Sequence, residues 1–254
     1  MSAPPAPDED FFVGYLPTPA RLRGFHLAAV GAAIAVALAV AATLASTSSG
    51  EHGHFGGGEA DFVGVFAAEP VPLLRVADPS RPGGVRTLLV VRGGKFGLPP
   101  TQSAELDGRV VRLRGGLVER DGTGMIEIYQ PPEDATLEPA ARASIESRPR
   151  VARGRVELRG ELVDSKCWLG RMHPGAGRTH RACAQQCVAG GIPAVLVTRD
   201  AAGTETLHVL AGLDDGSLEH VLELLSDPVQ VAGELEQDAD LWILRVEAGS
   251  LTRP

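Results

Sequence analysis

The sequence predicts a mainly β protein: one N-terminal transmembrane helix followed by two tandem OB-like β-barrel domains, the second with a Cys/His-bearing helical insertion. Three observations predict it. One uncharged apolar run stands near the start. Two sets of five short apolar alternations follow, separated by turn residues, with a clear helical pattern between the third and fourth members of the second set. The string V-x-[LV]-x-G-x-L also recurs three times, at Val111–Leu117, Val156–Leu162 and Val229–Leu235. Alternating apolar positions broken by one glycine describe a strand that bends so that a small sheet can curl and close.

The apolar run is Leu27 to Leu44, within an anchor assigned to residues 26–46. Eighteen helical residues rise about 27 Å, close to the roughly 30 Å hydrocarbon core of a bilayer. Arg21 and Arg23 precede it and no Lys or Arg follows until Arg75. The positive-inside rule then keeps residues 1–25 in the cytoplasm and sends the remainder outside. A cleaved signal peptide is the rival reading, with a small-residue site at Thr43-Leu44-Ala45. The long preceding tail and the length of the run argue for an uncleaved anchor. Phe11, Phe12 and Tyr15 in the tail are candidates for a membrane or interfacial contact.

Residues 47–60 are rich in Gly and Ser and read as a flexible linker, with His52 and His54 as weak metal candidates in a solvated segment. The first OB-like domain is assigned to 61–130, with strands at 62–66, 73–76, 87–91, 110–118 and 125–129. Asp121-Gly122 supplies the turn of the last hairpin. A polar, Pro-bearing linker with room for a short helix spans 131–150. The second domain is assigned to 151–254, with strands at 151–163, 194–198, 206–210, 229–235 and 241–246. Ser217 is placed as the cap of a helix whose Leu218, Val221, Leu222 and Leu225 share one face.

Net charge is −8, which argues against a nucleic-acid partner. The charge is uneven. Residues 142–181 hold ten Lys/Arg against four Asp/Glu, and residues 182–254 hold three against twelve. The basic strip reads first as solvated surface, and second as an attraction for an anionic partner.

All three cysteines lie in one stretch, D-S-K-C-W-L-G-R-M-H-P-G-A-G-R-T-H-R-A-C-A-Q-Q-C-V-A-G-G-I-P, residues 164–193. Thr179 is placed as the cap of a helix through R-A-C-A-Q-Q-C-V-A that ends at Gly190-Gly191. On that helix Cys183 and Cys187 are i,i+4, and His180 lies three residues before Cys183 on the same face. Cys167 comes from the end of the preceding strand. Cys167, His180, Cys183 and Cys187 together make a Cys₃His set suited to a zinc or copper ion. Met172 and His173 are further candidates in a Gly/Pro-rich turn.

Two other readings stay open. Outside the cytoplasm thiols oxidise, and Cys167 bonded to one helical cysteine would staple the helix to the barrel and leave one spare thiol. A free cysteine beside His180 and Arg181 would be a nucleophile for a thiol-based oxidoreductase. Asp164 and Lys166 read as a local ion pair that shapes the loop, His208 as a surface or edge residue, and Trp168 as packing or a shield for the site. There is no C-x-x-C, no C-x-x-C-H, no Rieske pair, no phosphate-binding Gly-rich loop and no Ser-His-Asp signature.

The runs G-E-L-V-D-S-K-C-W-L-G and H-R-A-C-A-Q-Q-C-V-A-G-G-I-P resemble a small exported bacterial domain with the pattern G-x-x-V-D-x-x-C, then H-x-x-C-A-x-x-C, then G-x-P. The resemblance covers roughly 151–254. It implies a common domain with Cys167, His180, Cys183 and Cys187 as its shared site, and it implies no particular activity. The expectation is a single-pass protein of the bacterial inner membrane with its barrels on the periplasmic side. Its role is that of a non-catalytic accessory or metal-binding subunit beside a membrane redox or metal-handling complex. A disulfide-stapled interaction module and a thiol oxidoreductase are the alternatives.

Overall fold

A computed structural model describes residues 19–47, 53–213 and 215–254. The aromatic residues of the N-terminal tail and His52 lie outside them. The chain divides into two compact units, Met1–Gly50 and Glu51–Pro254.

In the first unit α1 (Ala20–Thr47) is a single helix. Within its Ala20–Leu44 segment an 18-residue window reaches a mean hydropathy of 2.4, and the segment is long and apolar enough to cross a membrane.

The second unit is mainly β. Its elements are β1 (His54–Ala67), β2 (Leu73–Ala77), β3 (Val85–Arg92), α2 (Pro100–Leu106), β4 (Val110–Arg120), β5 (Thr123–Ile128), β6 (Glu133–Asp134) and α3 (Pro139–Glu146). Then come β7 (Val151–Asp164), α4 (Arg181–Ala189), β8 (Ala194–Arg199), β9 (Glu205–Ala211), α5 (Asp215–Leu224), β10 (Pro228–Asp238) and β11 (Leu241–Val246). Two five-strand barrels result, compatible with two OB-like domains. The first runs β1-β2-β3-β5-β4 and closes through a β1–β4 ladder, with β6 added beside β4. The second runs β10-β11-β9-β8-β7 and closes through β10–β7. Third and fifth strands are parallel in both (β3–β5, β9–β11), and the other pairings are antiparallel.

The repeat glycines mark where these barrels close tightly. Gly115 in β4, Gly160 in β7 and Gly233 in β10 each face the carbonyl of a neighbouring strand, as does Gly64 in β1. A methyl group on Gly233 would lie 2.1 Å from the Arg245 oxygen, and one on Gly160 would lie 2.2 Å from that of Val197. Backbone cannot yield as a side-chain tip can. Gly233→Ala is therefore expected to cost on the order of 2–3 kcal/mol, read as a lower urea midpoint at unchanged m-value.

The stretch assigned as flexible linker is strand from His54 onward. β1 pairs Phe55 with Val118 and Glu59 with Gly116, with a register shift between those two positions. The bulge absorbs a Gly-rich segment that local pattern alone marks as loop. Two caps also differ from expectation. α5 begins at Asp215, so Ser217 sits inside its first turn. α4 follows a short 3₁₀ turn, Arg178–His180, which puts His180 rather than Thr179 at its N-cap, without a side-chain capping bond. The Asp121-Gly122 turn is as expected, with both residues at positive φ as a two-residue I′ hairpin requires.

The barrels share a core. Leu88, Val90 and Ile126 point into the first barrel, and Leu196, Leu210 and Leu244 into the second. The alternate residues Leu89, Val91 and Met125 face Val195, Val197, Val209 and Ile243 across the interface, in one cluster that also includes Cys167, Trp168, Leu169 and Cys187. β3 and β8 are thus buried on both faces, which is why they read as unbroken apolar runs. Polar contacts flank this interface. Asp240 accepts the Thr87 amide at 2.8 Å, Arg75 meets Asp238 at 3.1 Å, and Arg120 meets Glu205 at 2.6 Å.

His208 is buried, not at the surface, and its Nδ1 has no hydrogen-bond partner. Burial holds its pKa below the ordinary value, against weaker opposition from backbone hydrogen bonds. The unfolded chain therefore takes up the proton first as pH falls below about 6.5, and stability present above that pH is lost as it falls further. His208→Asn is expected to flatten the pH 5–7 portion of the stability curve relative to the parent, measured by urea titration at each pH.

Candidate functional site

The Cys/His stretch connects β7 to β8 and lies between the barrels. Its construction starts at Asp164, the last residue of β7, whose side chain is fully buried. Oδ1 accepts the Cys167 amide at 2.9 Å, the three-residue spacing of a capping carboxylate, and this starts the helical turn through Cys167–Arg171. Oδ2 lies 2.9 Å from Nε2 of His180. A carboxylate oxygen only accepts, so Nε2 is the donor of this bond, which in the neutral ring leaves Nδ1 as the acceptor nitrogen. One buried carboxylate thereby fixes the chain before Cys167 and the ring of His180, the arrangement that orients metal-binding histidines.

The expected convergence of strand end and helix is present. Ligand atoms of Cys167, His180 and Cys183 lie within 4.8 Å of one another, and those of Asp164, Cys167 and Cys187 do the same. Cys167 belongs to both groups. All three cysteines are free thiols; Cys167 and Cys187 are buried and Cys183 is partly so. The Cys167 and Cys187 sulfurs lie within 4.8 Å of each other. The neighbouring Cys187 sulfur, with burial, pushes the Cys167 pKa up. The Cys167 neighbour holds the Cys187 pKa down, with help from the Lys95 charge and against burial. Met172 and His173 lie on the exposed surface, and neither belongs to these two groups.

Sequence reasoning missed Glu127 and Lys95 in this neighbourhood and gave Asp164 and Lys166 the wrong partners. Asp164 does not pair with Lys166. Lys166 turns the other way, into the first barrel, where Nζ donates to Arg92 O at 3.0 Å and Gly94 O at 2.6 Å and pairs with Glu127 Oε1 at 3.1 Å. Both side chains of that pair are almost wholly buried, and Arg171 adds a second cation 2.9 Å from Glu127 Oε2. Lys95, in the loop after β3, places Nζ 3.0 Å from Cys183 Sγ and 3.4 Å from Cys183 O; that sulfur raises the Lys95 pKa. Trp168 is buried beneath the Arg120 guanidinium, 4.4 Å from ring centre to Cζ. The signals available were the D-x-x-C spacing and a lone glutamate inside the apolar strand M-I-E-I-Y. Lys95 carried none.

Chemically the arrangement offers three sulfurs and one oriented imidazole in a largely dry, cation-flanked place. Such a donor set fits a thiophilic ion. No family model and no curated protein matches the chain. Among solved structures the chain is similar to the tetrameric p202 HIN2 at 12% identity, with 80% of this chain and 95% of that one covered and a TM-score of 0.20. A likeness at that score carries no argument about fold or activity.

Proposed function

We propose that the protein is a membrane-anchored, extracytoplasmic accessory subunit whose second OB-like barrel holds a thiophilic metal ion, zinc or copper, through Cys167, Cys183, Cys187 and His180. The observation that carries this reading is the convergence of the Cys167, His180 and Cys183 ligand atoms within 4.8 Å, with Cys187 equally near Cys167 in a second group and the imidazole held by a buried carboxylate. α1 would be the anchor; Arg21 and Arg23 before it support an orientation with its N-terminus in the cytoplasm of a bacterial inner membrane and the barrels in the periplasm. The resemblance to an exported bacterial domain belongs to the same proposal. Its partner would be a membrane redox or metal-handling system that receives the ion or depends on it.

A second reading has one observation in its favour, the proximity of the Cys167 and Cys187 sulfurs, within 4.8 Å of each other. A disulfide there would staple α4 to β7 and leave Cys183 as the spare thiol of an interaction module. Ion content and thiol titration of the whole chain, purified in detergent without chelator, separate the two. The metal reading expects about one ion per chain, with three thiols titrating only after chelation. One titratable thiol and no ion would replace it with the staple.

A further inference from the structure

We propose that Lys95, supplied by the first barrel, sets which ionic charge the Cys/His centre prefers, favouring a monovalent thiophilic ion over a divalent one. This rests on the metal reading above. Lys95 is firmly placed. Its loop, residues 93–98, is clasped from both sides by the second barrel. Lys166 Nζ takes the carbonyls of Arg92 and Gly94, and the Gly97 amide donates to Gly190 O at 2.9 Å. The backbones meet closely: a methyl on Gly190 would lie 1.9 Å from Lys95 O, and one on Gly97 would lie 2.0 Å from Gly191 O. Glycine at both positions lets the loop lie against the C-terminal end of α4. From there the lysine runs back along the helix to Cys183, where Nζ contacts both Sγ and the main-chain oxygen.

Charge then decides the consequence. Three thiolates and a neutral imidazole carry −3, Asp164 adds −1 beside His180, and the Lys166, Glu127 and Arg171 group is an internally paired neighbour. Lys95 is the one cation in contact with a ligand sulfur among the contacts of Lys95, Lys166 and Arg171 described above. A fixed positive charge next to Cys183 repels a bound ion in proportion to that ion's own charge, so a divalent ion loses twice what a monovalent ion loses. The N–H···S bond itself stabilises the thiolate for either ion alike. The ratio of the two affinities therefore isolates the charge of Lys95 from its hydrogen bond and from any effect on folding.

Silver(I) and cadmium(II) serve as probes, titrated competitively into the whole chain in detergent under reducing conditions. Lys95→Gln keeps a donor and much of the reach without the charge; Lys95→Met removes both; Lys95→Arg keeps the charge. The cadmium-to-silver affinity ratio is expected to rise about fivefold or more in Lys95→Gln and Lys95→Met, and to stay within twofold of the parent in Lys95→Arg. Should Lys95→Met fail to fold, Lys95→Gln decides. A ratio unmoved in Lys95→Gln, with both ions still bound, overturns the role of Lys95 and leaves the metal centre standing. A parent chain that binds neither ion overturns both.

Discussion

Lys166→Met is expected to lower the unfolding free energy by about 3–5 kcal/mol, more than the close-packed Gly233→Ala change. The reason is the company Lys166 keeps. Its ammonium is 2% exposed and satisfies three acceptors of the first barrel: the Glu127 carboxylate and the carbonyls of Arg92 and Gly94. Removing it leaves Glu127, itself 1% exposed, with Arg171 alone, and the Oε2 facing Arg171 makes no hydrogen bond. A buried carboxylate that loses its hydrogen-bonded cation bears its desolvation penalty nearly uncompensated. Lys166→Met combined with Glu127→Leu should therefore be less damaging than the sum of the two single changes by about 1–3 kcal/mol, because the orphaned charge is gone. Urea unfolding of the four variants measures that coupling. Additive effects would mean that Lys166 acts through packing alone. The single variant should also free the loop carrying Lys95, so Cys183 is expected to react faster with a thiol reagent under native conditions than in the parent.

That pair also shows what a linear reading can and cannot reach. Strand positions were legible because a two-residue period is local: β4, β5, β8, β9 and β11 lie within a few residues of where alternation put them. The helix face of Leu218, Val221, Leu222 and Leu225 was legible for the same reason; Val221 and Leu225, the latter just past the end of α5, are buried in the core of the second barrel, and Leu218 and Leu222 pack against it partly buried. The convergence of Cys167 with Cys183 and His180 followed from a strand end and a helix period. The partners of Lys166 did not, since Glu127 lies in another barrel and no local pattern connects them. The docking of the two barrels was half-written in the sequence: T-L-L-V-V and A-V-L-V-T lack the polar alternate positions that a water-facing sheet requires. The beginning of β1 was hidden, because the glycines that signal a loop in isolation fall in its register shift between Phe55 and Glu59, beyond which Glu59 and Ala60 pair with Gly116 and Gly115. Asp164 was visible beside Cys167 but was given to the nearest cation in sequence, whereas a carboxylate at a strand end takes the amide three residues on.

Cys167→Ser should remove ion binding almost entirely, by a factor of at least about a hundred, because Cys167 is the residue common to both ligand groups. A serine hydroxyl is not ionised at neutral pH and does not replace thiolate for a soft ion. Cys183→Ser and Cys187→Ser each take away one member of one group and are expected to weaken binding less. Linkage makes the same contrast visible in stability. A folded chain saturated at a thousand times its Kd is stabilised by about 4 kcal/mol, which for a unit of this size moves Tm by roughly 10 °C. Chelation should therefore lower the Tm of the parent by that order and leave Cys167→Ser unchanged. A disulfide staple predicts the reverse pairing: chelator without effect on the parent, and a reductant producing the fall in Tm. A thiol oxidoreductase predicts neither shift, but loss of turnover on a disulfide substrate in whichever variant lacks the reacting sulfur. The position of Asp164 weighs against that last outcome at Cys167. Its carboxylate is spent on the Cys167 amide and the His180 ring, and it puts a negative charge beside Cys167, where a nucleophilic thiolate would need a positive one, so turnover through Cys167 is disfavoured and Cys183, beside Lys95, is the thiol that such an activity would use.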